Sequence, residues 1–254
     1  MAQPPTTIEP DIAAEAERLL VLIERESLDA RLIGGMAIRL LAADRLHPAL
    51  RRPIQDLDFI VAKRHRRNLN DLLIGAGYSA DDHFNALNGA RRLLYQDLHH
   101  ERRVDVFVET FSMCHVLPLA DRIPASPRSL PAAEILMTKL QIVELNAKDR
   151  GDLYALLLSH EISLGDDAGI DAQRIASLTG NDWGLQRTFE LNLQRLREAL
   201  PEQPLTPEEQ GIVAARIDAL AAALDEVPKT RRWKLRARVG ERKRWYDEPE
   251  EVER

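Results

Sequence analysis

The sequence predicts an α/β fold of the α+β kind: a mixed β-sheet with flanking helices, followed by a helical C-terminal lobe. Three observations carry the prediction. Short apolar runs at 30–33, 57–61 and 103–108, the last of them β-branched, alternate with helical patterns in the first part of the chain. Strand signals stop after Pro118, and Pro124, Pro127 and Pro131 punctuate a connector. Beyond it, apolar residues recur at helical spacing. The expected organisation is a core over 1–125, a helical lobe over 126–228 and a tail over 229–254 that is first basic and then acidic.

Asp11 to Leu28 places Ala14, Leu19, Leu20, Leu22 and Ile23 on one stripe with Glu and Arg between them, which reads as an amphipathic helix. Ala30 to Ile33 follows as a strand and delivers Gly34-Gly35. A helix is expected from about Met36 to Leu46, ended by His47-Pro48. An Arg- and Pro-rich loop then leads to Asp56-Leu57-Asp58 and the apolar run ending at Val61. Lys63 to Gly75 reads as the next helix, closed by Gly75-Ala76-Gly77. Arg91 to Tyr95 and Arg103 to Val108 read as strands around a polar, flexible turn with His99-His100, which have no partner at metal-ligand spacing.

In the second part, Pro131 suits the first turn of a helix over Leu130 to Asn146. The remainder is expected to be helical: Gly151 to His160, Asp171 to Leu178, Asp182 to Leu200 and Thr206 to Val227. Thr206-Pro207-Glu208-Glu209 is a capping box with proline at the first helical position.

The chemistry lies in the glycines and aspartates. On a strand, residues i and i+2 project from one face about 6.5–7 Å apart, so Asp56 and Asp58 point the same way. Two carboxylates on one face repel each other unless a cation lies between them, and magnesium suits hard oxygen donors. A two-metal clamp holds its ions roughly 3.5–4 Å apart and takes a third carboxylate. Asp105, the single acid in Arg103-Val104-Asp105-Val106-Phe107-Val108, is the candidate. The Gly34-Gly35 turn lets backbone N–H groups approach a phosphate at the positive end of the following helix. The plainer reading is an ordinary strand-to-helix turn.

In this order the residues resemble the nucleotidyltransferase superfamily that includes DNA polymerase beta, with its glycine pair, helix, Asp-x-Asp and lone strand Asp. Lys139-Leu140-Gln141 and Lys148-Asp149-Arg150-Gly151-Asp152-Leu153 resemble later motifs of its AbiEii-type branch, the toxins of abortive-infection and type IV toxin–antitoxin systems. The resemblance covers roughly residues 30 to 158. It implies that Gly34 and Gly35 hold the triphosphate of a nucleoside triphosphate, and that Asp56, Asp58 and Asp105 bind magnesium (Mg2+). It also implies that Lys139 binds phosphate oxygens, and that Asp149 or Asp152 activates the acceptor or orders the site. The expected reaction moves a nucleotidyl group to an acceptor such as RNA, in a protein partnered by a cognate antitoxin. Two positions depart from the family pattern: Met36 follows the glycines and Ile54 precedes Asp56 by two, where Ser or Thr would contact phosphate. Three rivals stand beside this reading: a small-molecule nucleotidyltransferase, a metal-dependent glycosyltransferase that also uses Asp-x-Asp, and a catalytically degenerate binding or regulatory protein.

Charge is uneven along the chain. Residues 229–244 carry nine Lys or Arg against Glu241, a net of +8, while 1–228 hold −10 and 245–254 hold −4. Trp233, Trp245 and Tyr246 interleave the cations, a pattern suited to tracking a phosphate backbone and stacking on bases. The alternative is a solvated helix end or a tail docked on the acidic body. One cysteine, Cys114, cannot form an intramolecular disulfide, Met1 to Pro10 has no apolar signal region, and no apolar run approaches a membrane span. A cytoplasmic location without membrane attachment is therefore expected.

Overall fold

The structure is a computed structural model describing residues 7–165 and 169–248. The fold is mixed α/β, with a five-stranded mixed sheet and helices. The chain divides into two compact units. The first takes in Met1–Leu40, Pro53–Phe111 and Pro118–Leu130, and the second Leu41–Arg52, Ser112–Leu117 and Pro131–Arg254. The two units thus interleave in sequence, whereas the charge and proline pattern pointed to three consecutive blocks. The described residues of the tail belong to the second unit and include a helix, Arg231–Val239. Residues 249–254, which hold most of the acidic end, lie outside the described residues, as do 1–6 of the polar N-terminus.

In the first unit, helix α1 (Ile12–Arg25) is capped by Asp11, whose side chain accepts from the amides of Ala13 and Ala14. Its apolar stripe buries Leu19, Leu20 and Ile23. Strand β1 (Ala30–Ile33) is buried along its whole length and runs directly into α2 (Gly34–Ala42). After β2 (Leu57–Val61), α3 (Arg66–Gly75) closes on Gly77, whose φ of 102° only glycine adopts readily. Next come β3 (Ser79–Ala80), α4 (Asp82–Asn88), β4 (Arg92–Asp97) and β5 (Arg102–Val108).

The sheet order is β1-β2-β5-β4-β3. β1 is antiparallel to β2, β2 is parallel to β5, and β4 is antiparallel to β5 and β3. This register positions the candidate site. Ile33 pairs with Asp58, and Asp58 with Asp105. The end of β1, the start of β2 and the middle of β5 therefore meet in one row across neighbouring strands, each step about 4.8 Å.

In the second unit, α5 (Ala132–Leu140) packs with α6 (Ala147–Ser159), α7 (Ala172–Thr179) and α8 (Trp183–Ala199), and these three pack with α9 (Pro207–Glu226). The expected continuous helix over Leu130 to Asn146 is broken at Gln141. The cause lies on α8: the Asn192 amide donates to the carbonyls of Leu140 (2.8 Å) and Ile142 (2.7 Å), and Arg195 donates to that of Val143 (2.6 Å). Those acceptors are satisfied without a further helical turn, and Asn146 then caps α6. The expectation of helix alone also misses a short parallel pair, Glu161–Ser163 with Gly169–Asp171.

Candidate functional site

Gly34 has a φ of 65° at the junction of β1 and α2. A Cβ at this position would overlap Asp58 Oδ2 and stand 2.8 Å from Asp58 Cγ. The Asp58 carboxylate thus lies against the glycine backbone at the N-terminus of α2, where unpaired helix amides favour negative charge. Gly35 occupies the next position in the same first turn. Met36, the residue after the glycine pair, is buried in the core. Asp58 is half-buried and Asp56 exposed, just outside the start of β2, and Asp56 Oδ1 accepts from the Arg103 amide at 3.4 Å.

Asp105 is not an open third ligand. Arg92 Nε donates to both of its carboxylate oxygens, at 2.9 and 3.1 Å, and Arg92 Nη2 pairs with Oδ2. Register explains the fork: Arg92 pairs with Phe107 across β4 and β5, making Asp105 its diagonal neighbour on the same face. The guanidinium also lies 5.0 Å from the Phe107 ring centroid. Burial pushes the Asp105 carboxyl above the usual carboxylate range, and the nearby Asp56 adds to the rise; the Arg92 fork pulls the other way without cancelling it. Among the described residues, no group of three or more His, Cys, Asp or Glu side chains is arranged to hold a metal ion.

The Arg92 fork leads to a pH prediction. Because the folded-state pKa of Asp105 is raised, ionising it weakens the fold, and stability falls as pH rises through that value. Arg92→Met removes the compensating cation and raises the pKa further. Its loss of stability relative to wild type should grow as pH rises through the titration of Asp105, from a small value at acid pH to about 2 kcal/mol near pH 7. Urea unfolding at both pH values measures it, and a deficit independent of pH would assign the loss to packing alone.

In the second unit Lys139, Asp149 and Asp152 come together around the start of α6. Lys139 Nζ lies 2.7 Å from Asp149 Oδ1 and 3.2 Å from Asp152 Oδ2. Asn146 donates to Asp149 Oδ2 at 2.8 Å while its own Oδ1 accepts from the Asp149 amide. Sequence reasoning missed Arg52, which forks Asp152 with Nε on Oδ1 (2.8 Å) and Nη2 on Oδ2 (2.7 Å). It also missed Arg92. A charged residue at the head of an otherwise apolar strand, Arg92-Leu93-Leu94-Tyr95, was the available signal for the latter.

Two other expectations change. The turn at His99-His100 is tied down: Asp97 Oδ1 accepts from both amides and Oδ2 faces His100 Nδ1 at 2.8 Å and Arg102 Nη2 at 2.7 Å. Burial alone would raise Asp97, but these donors together hold it below the ordinary carboxylate value. The tail's tryptophans are half-buried and bonded through their N–H groups. Trp233 Nε1 donates to Gln186 (3.1 Å), Trp245 Nε1 donates to Thr188 (3.0 Å), and the Trp245 ring meets Trp183 edge to face.

No helix among the described residues is long and apolar enough to cross a membrane. No protein-family model and no curated protein matches the chain.

Proposed function

We propose that the chain is a nucleotidyltransferase whose substrate is a nucleoside triphosphate. The observation that carries this reading is the row across β1, β2 and β5, in which a left-handed glycine opening a helix stands against the carboxylate of Asp58. The donor set of Asp56 and Asp58 fits one magnesium ion. It does not fit a second ion while Arg92 holds Asp105. Bound there, magnesium would supply charge neutralisation to the phosphates and acidify an acceptor hydroxyl. In transfer, the acceptor oxygen bonds to the α-phosphorus, the bond to the β-phosphate oxygen breaks, and pyrophosphate leaves. The chain's own contribution is positioning and charge: amides at Gly34 and Gly35 would face the departing phosphates.

The resemblance over 139–153 extends the proposal to an AbiEii-like toxin with a cognate antitoxin and an RNA acceptor. A second reading, a non-catalytic binding protein of the same architecture, is favoured by the arginine forks on Asp105 and Asp152. Calorimetric titration of magnesium nucleotides separates the two. Nucleotidyl transfer requires magnesium-dependent binding that falls at least about tenfold in Asp58→Asn. Binding that is absent, or unaffected by the substitution, would sink the enzyme reading.

A further inference from the structure

We propose that the exposed face of α10 (Arg231–Val239) and the segment after it is a docking surface for the phosphodiester backbone of a nucleic acid strand, bound by charge without base stacking. Arg231, Arg232, Lys234, Arg238, Arg242 and Lys243 are all exposed. Among the described residues none of these six makes an ion pair. They lie in a segment of net charge +8 on a chain whose first 228 residues hold −10. Cations this dense on one short helix repel one another, and a row of phosphates relieves that repulsion.

The face is held in place. Thr230 caps α10 by accepting from the Trp233 amide at 3.3 Å, and the Trp233 indole is anchored on Gln186 of α8. Arg236 lies 4.6 Å from the Trp183 ring, and Trp245 pins the segment beyond the helix to Thr188. The indole N–H groups are thereby tied to α8 and the rings half-buried, while the exposed side chains that dominate the face are guanidinium and ammonium groups. Arginine forks match phosphate geometry and read no sequence. The apolar side chains left outward on α10 are Leu235 and Val239. Two exposed aliphatics offer too little area to seat the helix in a bilayer, which favours a nucleic acid over a lipid surface.

This surface shares no residue with the Asp56–Asp58 pair of the proposed transferase reading, so the two can be tested by separate substitutions. The test is fluorescence anisotropy of a labelled oligoribonucleotide with the full chain. Neutralising about six phosphates of a single strand predicts an affinity loss of roughly 300-fold between about 50 and 200 mM salt. Arg231→Gln/Arg232→Gln/Lys234→Gln should weaken binding at least about tenfold and lower the magnitude of the logarithmic salt slope by about 2. Purine and pyrimidine homopolymers, and DNA of equal length, should bind within about threefold of one another. Asp58→Asn should keep wild-type affinity for the strand even where nucleotide binding is lost. Unchanged affinity in the triple variant, salt-independent binding, strong base preference, loss of strand binding in Asp58→Asn, or binding to anionic vesicles in place of oligonucleotides would each overturn the assignment.

Discussion

Gly34→Ala is expected to lower the stability of the first unit by about 2–4 kcal/mol and to displace Asp58. Two separate effects contribute. The backbone at 34 has a φ of 65°, where an L side chain costs about 1–2 kcal/mol on its own. The added Cβ would also overlap Asp58 Oδ2, with Cγ 2.8 Å away and Asp58 Cβ 3.1 Å away. Relief requires the carboxylate to swing out or the β1–α2 turn to open, and either one removes Asp58 from the head of α2. Gly211→Ala is the control. Gly211 lies inside α9 with nothing within 4 Å of its added Cβ, so alanine there should stabilise by about 0.5–1 kcal/mol through helix propensity. Chemical denaturation of both variants, with magnesium nucleotide titration of Gly34→Ala, provides the measurement. Wild-type stability in Gly34→Ala would mean that the turn accommodates a side chain and does not constrain Asp58.

The strands that carry Gly34 and Asp58 were legible because local chemistry decides them. Short buried apolar runs bounded by glycine or by polar loop residues have few other folded uses, and Ala30–Ile33 and Leu57–Val61 form where the pattern places them. Thr206 likewise opens α9 through its own box, with Glu209 Oε2 accepting from the Thr206 amide at 2.8 Å. What the sequence hid depends on partners distant along the chain. The α5 break is imposed by Asn192 and Arg195, and no property of Gln141 to Asn146 announces it. The fork of Arg92 on Asp105 needs the β4–β5 register, and that of Arg52 on Asp152 spans 100 residues. Trp233 and Trp245 resembled stacking platforms because spacing shows what a side chain is near in sequence, not what its N–H has found in space. Long-range pairing thus changed the chemical meaning of Asp105, Asp152 and the tail while leaving most of the predicted elements in place.

Asp152→Asn is expected to destabilise the second unit by about 3 kcal/mol, well beyond the effect of Asp149→Asn. The Asp152 side chain is 6% exposed and carries both Arg52, at 23%, and Lys139, at 16%. Replacing it with the neutral amide leaves two cations facing each other with a single carboxylate, Asp149, on the Lys139 side. Asp149 is more dispensable, because its amide stays capped by Asn146 and Lys139 retains Asp152. The companion change is Arg52→Gln. If the fork is the source of the loss, Asp152→Asn/Arg52→Gln should be less damaging than the sum of the single changes, with a coupling of about 1–3 kcal/mol in a double-mutant cycle. The same variants bear on the proposed chemistry. Stability unchanged in Asp152→Asn with nucleotidyl transfer abolished would make Asp152 a group acting on the substrate, whereas loss of stability with coupling to Arg52 makes it the residue that positions Lys139. Geometry favours the second outcome: both Asp152 oxygens are taken by Arg52, and Lys139 is the member of the cluster able to exchange a carboxylate for a phosphate.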